Sequence, residues 1–185
     1  MRRSTKAIGI SAVVGVILIS GVVFLNYWKK LMRKYRDPAK EISIKYPADW
    51  IVMAGYGGAK VVFASPFDGP LDYFQENVSV VVQDISKAPL NLREYSDKAI
   101  EQMEAVFLDN FILEESTAVA TLSGLPAYKV IFTGKGPETE LMYYMTWAVV
   151  DKVKAYQVTY TAFPSQFDKY YPTVQQMVES FKILE

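Results

Sequence analysis

Apolar residues change their spacing several times along this chain, and each change predicts a different element. The nineteen residues from Ala7 to Leu25 carry no charge, and a helix of that length spans roughly 28 Å, close to a bilayer's hydrocarbon thickness. Twelve positions between Ala7 and Trp28 are Val, Ile, Leu or Phe, enough to favour insertion. Tyr27 and Trp28 then fall at head-group level, and Lys29, Lys30, Arg33, Lys34 and Arg36 follow as a basic membrane interface. The pattern predicts a basic amino terminus over residues 1–6, a single transmembrane anchor over 7–28 and a basic juxtamembrane linker over 29–40. The exit from the apolar run has no pair of small residues, which argues against cleavage as a signal peptide. Gly9, Gly15 and Gly21 recur every six residues, unlike the Gly-x-x-x-Gly helix-pairing pattern.

From residue 41 the period shortens. Ile42, Ile44 and Tyr46 alternate with Ser43 and Lys45 as one strand, ended by Pro47. Trp50 to Ala54 and Lys60 to Ala64 flank "GYGGA" as two hairpin strands. "SPFDGPLDYFQ", from Ser65 to Gln75, is a loop by its prolines and glycine, and Asn77 to Gln83 is a β-branched strand. "NLREYSDKAIEQMEAVFL" has helical spacing: Asn91 and Glu94 form a capping box, and Leu92, Tyr95, Ala99, Met103 and Val106 make one apolar stripe. Four β-rich runs follow, at 111–122, 127–133, 140–150 and 155–163, joined by short breakers. Ser165 to Leu184 reads as a closing helix whose Val174, Met177, Val178 and Phe181 face inward, with Pro172 beginning, kinking or interrupting it. Strands, helix, strands, helix with hairpin-length links define an α+β class: an antiparallel sheet covered by helices.

Charge divides the chain in two. Residues 1–36 hold eight Lys or Arg and no acid, whereas residues 37–185 hold twelve bases and twenty acids, a net of −8. Such a domain is a poor nucleic-acid binder and stands off anionic lipid, while the basic anchor attracts it. The 149 residues of 37–185 suffice for one core without disulfides, and the absence of Cys leaves the redox compartment open.

The chemical inventory is short. Without His or Cys the chain has no Ser-His-Asp triad, no Cys-His pair, and no ordinary zinc or haem site. The glycines of "GYGGA" lack the following Lys-Ser/Thr of a phosphate cradle. The acidic pairs Glu114 with Glu115 and Glu138 with Glu140 read as solvated strand or turn residues rather than as an acid and a base. Asn77-Val78-Ser79 has the form of a glycosylation sequon but opens a strand. Asp68, Asp72 and Glu76 could supply oxygen ligands to Ca²⁺ from the long loop, although their spacing is not that of an EF-hand and an acidic solvated loop is the simpler reading. No catalytic residue and no cofactor site is assigned.

The succession "ISIKYPADWIV", "FASPFD…ENVSVVVQDI", "NLREYSDKAI", "TLSGLPAYKVIFTG" and "YQVTYTAFPSQFDKYYPTVQQMVESFKI" resembles the PsbP-like family, named for an extrinsic subunit of photosystem II, over residues 41–183. The resemblance implies an α/β/α sandwich that acts as an accessory or assembly factor on a membrane protein complex, here as a membrane-anchored prokaryotic relative. Histidines used at metal sites in the family have no counterpart in this chain. The expected protein is therefore a non-catalytic binding module over residues 41–185, held to the lipid by its N-terminal helix and docked on a membrane protein. The alternatives are a Ca²⁺-dependent structural module and a carboxylate-based enzyme. Counting the amino terminus, four positive charges precede the apolar run and five follow it, a tilt toward a cytoplasmic domain. The short basic N-terminus before an apolar core looks instead like an uncleaved export signal, and the expectation adopted is an extracytoplasmic domain on a single-pass cell-membrane protein.

Overall fold

The computed structural model of the chain describes residues 31–135 and 139–184. The expected anchor, with Tyr27, Trp28, Lys29 and Lys30, lies outside the described residues, as does Glu138. Among the described residues no helix is long and apolar enough to cross a membrane.

Among the described residues, ten strands and two α-helices follow in the order β1 (Met32–Arg36), β2 (Ile42–Pro47), β3 (Ile51–Ala54), β4 (Val61–Ala64), β5 (Asn77–Asp84), α1 (Leu92–Phe107), β6 (Phe111–Leu122), β7 (Leu125–Lys135), β8 (Glu140–Val150), β9 (Lys154–Ala162), α2 (Pro164–Ser180) and β10 (Lys182–Ile183). Seven strands form one antiparallel sheet in the order β3-β4-β5-β9-β8-β7-β6, and β1-β2-β10 form a second, smaller one. The two faces of the large sheet are separated by strand alternation. On β8, Tyr144 and Ala148 enter the larger core with Val174 and Met177 of α2, while Trp147 points the other way into a core with Met103 of α1. The result is three layers, α1 on one face and α2 with the small sheet on the other.

The small sheet packs by rings and is held by charge. Tyr46 stacks on Phe63 of β4 at 4.9 Å, and Tyr35 meets the same ring edge-on at 5.7 Å. Glu41, just before β2, accepts from Lys60 at 2.5 Å and from Lys154 at 2.6 Å, both on the large sheet's side. Ile42, Ile44, Phe63, Met177 and Phe181 are fully buried between the layers, each such side chain contributing about 1.5–3 kcal/mol.

Three expectations are corrected. Within the segment read as a linker, Met32–Arg36 is a strand, and Arg33, Lys34 and Arg36 are exposed positions on it. Residues 37–40 are its hairpin turn, closed by Ile42 N–H donating to Asp37 Oδ1 at 2.8 Å, with Lys40 at φ 57°. The sequence hides this strand because Met32 and Tyr35 are three residues apart and its other positions are charged, a composition that also shields an edge from pairing with other chains. The closing helix stops at Ser180, and Lys182–Ile183 adds β10 to β2. Pro164 opens this helix and Pro172 sits inside it. Val106, expected on the buried stripe of α1, is 73% exposed, because the last turn of the helix seats Phe107 on the Phe132 and Tyr143 rings and leaves Val106 at its flank.

Candidate binding surface

α1 is placed by its own sequence. Asn91 accepts from Glu94 N–H at 3.0 Å and Glu94 Oε2 accepts from Asn91 N–H at 2.8 Å, the expected capping box. A buried polar link then fixes the helix to the sheet: Trp147 Nε1–H donates to Ser96 Oγ at 2.9 Å, and Ser96 Oγ–H donates to Leu92 C=O at 2.7 Å. Tyr128 stacks on Trp147 at 5.5 Å, and Phe107, Phe111, Phe132 and Tyr143 form an aromatic cluster at the helix's far end. Gly134 makes room for it, since a Cβ there would lie 2.6 Å from the Phe107 ring.

α1 packs on β7, β8 and the start of β6. Beside it, toward β9 and β5, the sheet face stays open as a groove of about 360 Å³. Its floor comes from outward-alternating positions Tyr143 and Met145 on β8 and Gln157 and Thr159 on β9; its wall comes from Tyr95, Gln102, Met103 and Val106, with Gln83 of β5 at one end. Two internal bonds order the polar groups: Tyr95 O–H donates to Gln83 Oε1 at 3.0 Å, and Gln157 Nε2 donates to Thr159 Oγ1 at 3.0 Å. Among the described residues no charged side chain lines the groove. Burial raises the hydroxyl pKa of Tyr95 and of Tyr143, which keeps both neutral at physiological pH. The surface offers amide, hydroxyl, thioether and aromatic contacts and holds no acid–base pair, which suits recognition of an uncharged segment.

The three acids of the loop meet different fates. Asp68 is bound by Lys169 and accepts from Tyr170 O–H at 3.1 Å. Asp72 accepts from the backbone N–H of Asp68 at 2.7 Å and of Phe74 at 3.1 Å, so it shapes the loop. Glu76 is 1% exposed, and Ser65 Oγ donates to it at 3.4 Å. Burial holds its carboxyl above the ordinary 4.5, with Asp72 and Asp68 adding to the rise. Among the described residues no group of three or more His, Cys, Asp or Glu is placed to hold a metal ion. Of the acidic pairs, Glu114 accepts from Thr133 Oγ1 at 2.9 Å and Glu115 pairs with Lys129. Asn77 opens β5, a central strand, and its side chain donates to Gln75 C=O at 3.1 Å.

None of the groove's polar residues was identified from the sequence. Gln157 and Thr159 look like ordinary outward positions on a strand, and only the place where α1 crosses the sheet makes them a floor.

The family profile described as PsbP matches residues 30–183. Among solved structures, the cyanobacterial PsbP (CyanoP) from Synechocystis sp. PCC 6803 is 18% identical with a TM-score of 0.60, over 82% of this chain and 92% of that one. LpqN, involved in cell envelope biogenesis of Mycobacterium tuberculosis, is 13% identical with a TM-score of 0.57, over 84% and 91%. The Saccharomyces cerevisiae Ran-binding protein Mog1p is 10% identical with a TM-score of 0.58, over 84% and 96%. At these identities the likenesses show a shared fold. No curated protein matches the sequence.

Proposed function

This chain belongs to the PsbP family, and from that membership and the groove beside α1 we propose that it is a membrane-anchored, non-catalytic binding module that docks on a membrane protein complex. The observation that carries the reading is the uncharged groove, lined by Gln83, Gln102, Gln157, Met103 and Tyr143 in a chain whose residues 37–185 carry a net charge of −8. A neutral, amide-rich and thioether-rich lining is adapted to a partner's backbone and apolar side chains, and its only titratable groups are two tyrosine hydroxyls that burial keeps neutral. The lack of His and Cys anywhere in the sequence points the same way. Two structural relatives bear names of binding or envelope proteins, the Ran-binding Mog1p and LpqN of cell envelope biogenesis. The apolar run of residues 7–28 supplies the anchor, and the domain lies on the extracytoplasmic side.

The sequence contains no Cys, so a benzophenone label at Gln102→Cys maps the groove in native membranes without background. The expected result is one stoichiometric adduct with a membrane protein, absent from the same label at exposed Lys98→Cys on α1. Equal adducts at both positions, or a catalytic turnover abolished by one carboxylate-to-amide change, would overturn the reading. Carbonate washing is expected to leave the chain in the membrane pellet, and protease added to intact cells is expected to digest the domain; survival until permeabilisation would reverse the assigned side.

A further inference from the structure

The loop of residues 65–76, between β4 and β5, displays its apolar side chains outward: Leu71 is 91% exposed, Tyr73 83% and Phe67 56%. Large side chains grouped this way on a surface mark a contact site. The loop is also built to hold them there. Ser65 N–H donates to Glu76 C=O at 2.8 Å across its base, Asp72 caps two backbone N–H groups, and Tyr73 and Phe74 rest on the Phe163 ring at 5.5 and 4.8 Å. Its two outer carboxylates face protein partners: Asp72 takes those N–H groups, and Asp68 takes Lys169 and Tyr170.

The place of this loop decides what covers it. Leu31, where the described chain begins, accepts from Ala48 N–H at 2.7 Å. Two residues on, the Trp50 ring meets Tyr170, the residue that also binds Asp68, at 5.7 Å. Ile51, 51% exposed, pairs with Ala64, the last residue before the loop. The apolar loop and the point where the N-terminal segment joins the domain therefore lie at one end of the molecule. The sequence that precedes Leu31 is Lys29 and Lys30 and, before them, the uncharged apolar run ending in Tyr27 and Trp28.

We propose that Phe67, Leu71 and Tyr73 enter the head-group zone of the same bilayer that holds the N-terminal segment, giving the domain a second contact and a fixed orientation on the membrane. This rests on the anchoring part of the proposed function. Residues 37–185 carry a net charge of −8 while Arg33, Lys34 and Arg36 on β1 are basic, so the loop's own contribution is apolar contact, which zwitterionic lipid isolates from charge attraction, with Tyr73 suited to the interface by its ring and hydroxyl.

The test uses the full chain reconstituted in phosphatidylcholine vesicles, with an environment-sensitive nitrobenzoxadiazole label at Leu71→Cys or Phe67→Cys. Val119→Cys, 93% exposed on the opposite edge strand, is the control. The expected result is a blue-shifted emission at positions 71 and 67, quenched several-fold more by lipids doxyl-labelled near the head group than emission at position 119. An aqueous spectrum at both loop positions overturns the proposal. So do shielding that appears only in native, protein-rich membranes, which assigns the loop to a protein partner, and disulfide cross-linking between two chains at position 71, which assigns it to a second copy. A label at Gly15→Cys reports the anchor separately: quenched there and aqueous in the loop, the anchor stands and the loop contact falls.

Discussion

Replacing Ser96 with Ala isolates the link that seats α1 on the sheet. Trp147 is fully buried, and its indole N–H has Ser96 Oγ as its acceptor at 2.9 Å. Ser96→Ala leaves that donor buried and unpaired, which costs about 1–3 kcal/mol, whereas the better helix propensity of Ala returns at most about 0.7 kcal/mol. Loss of the hydroxyl's bond to Leu92 C=O adds little, since a helical carbonyl at that position keeps its backbone partner. The expected net loss is about 1–2 kcal/mol, a fall in melting temperature of roughly 2–8 °C for a domain of this size. Urea denaturation followed by far-ultraviolet circular dichroism, on the full chain in mild detergent, measures it. A double-mutant cycle with Trp147→Phe supplies the control, because that change removes the donor while keeping a ring against Tyr128. In the Phe background Ser96→Ala should cost nothing, or stabilise slightly. An equal cost in both backgrounds would refute the assignment of the stability to this hydrogen bond.

Gly134→Ala places a Cβ 2.6 Å from the Phe107 ring, and an overpacking loss of about 1–3 kcal/mol is expected; the loss should shrink in a Phe107→Ala background if the ring is its cause, as thermal denaturation of the four proteins would show. Asn91→Ala removes the acceptor for Glu94 N–H and should lower stability by about 1 kcal/mol in the same assay, with Asn91→Ser restoring most of it. Two carboxylates set opposite pH limbs. Because burial raises the Glu76 pKa, its neutral form belongs to the folded state, and stability is lost as pH rises from 4.5 through the raised value; Glu76→Gln should flatten that limb. Hydrogen bonds from Lys154 and Lys60 lower the Glu41 pKa, so its contribution is present above 4.5 and is lost as pH falls through the lowered value; Glu41→Gln should remove only that acid limb from a pH series of urea midpoints.

The elements that the sequence determined by itself are those whose signal is local. Asn91 and Glu94 are three residues apart, so the capping box needs only one helical turn to form, and it forms as expected. The β-rich runs over 111–122 and 140–150 match β6 and β8 at the same residues, because β-branched and aromatic composition bounded by short breakers is itself a local signal. β1 had no such signal: its five residues are a strand because Ser43 to Pro47 pair with them, and without that partner Met-Arg-Lys-Tyr-Arg reads as a basic linker. The same holds for Lys182–Ile183. Side-chain fates in the candidate sites depend even more on distant chain. Asp68 is bound by Lys169, a residue 101 positions away, a partner that no local pattern in the sequence reveals. Glu76 reads as one more loop acid until the fold buries it beside Ser65, and Val106 reads as core until Phe107 takes the place on the sheet next to it. Periodicity shows which residues share a face, but the width of the neighbouring layer decides which part of that face is buried, and here the uncovered part is the groove.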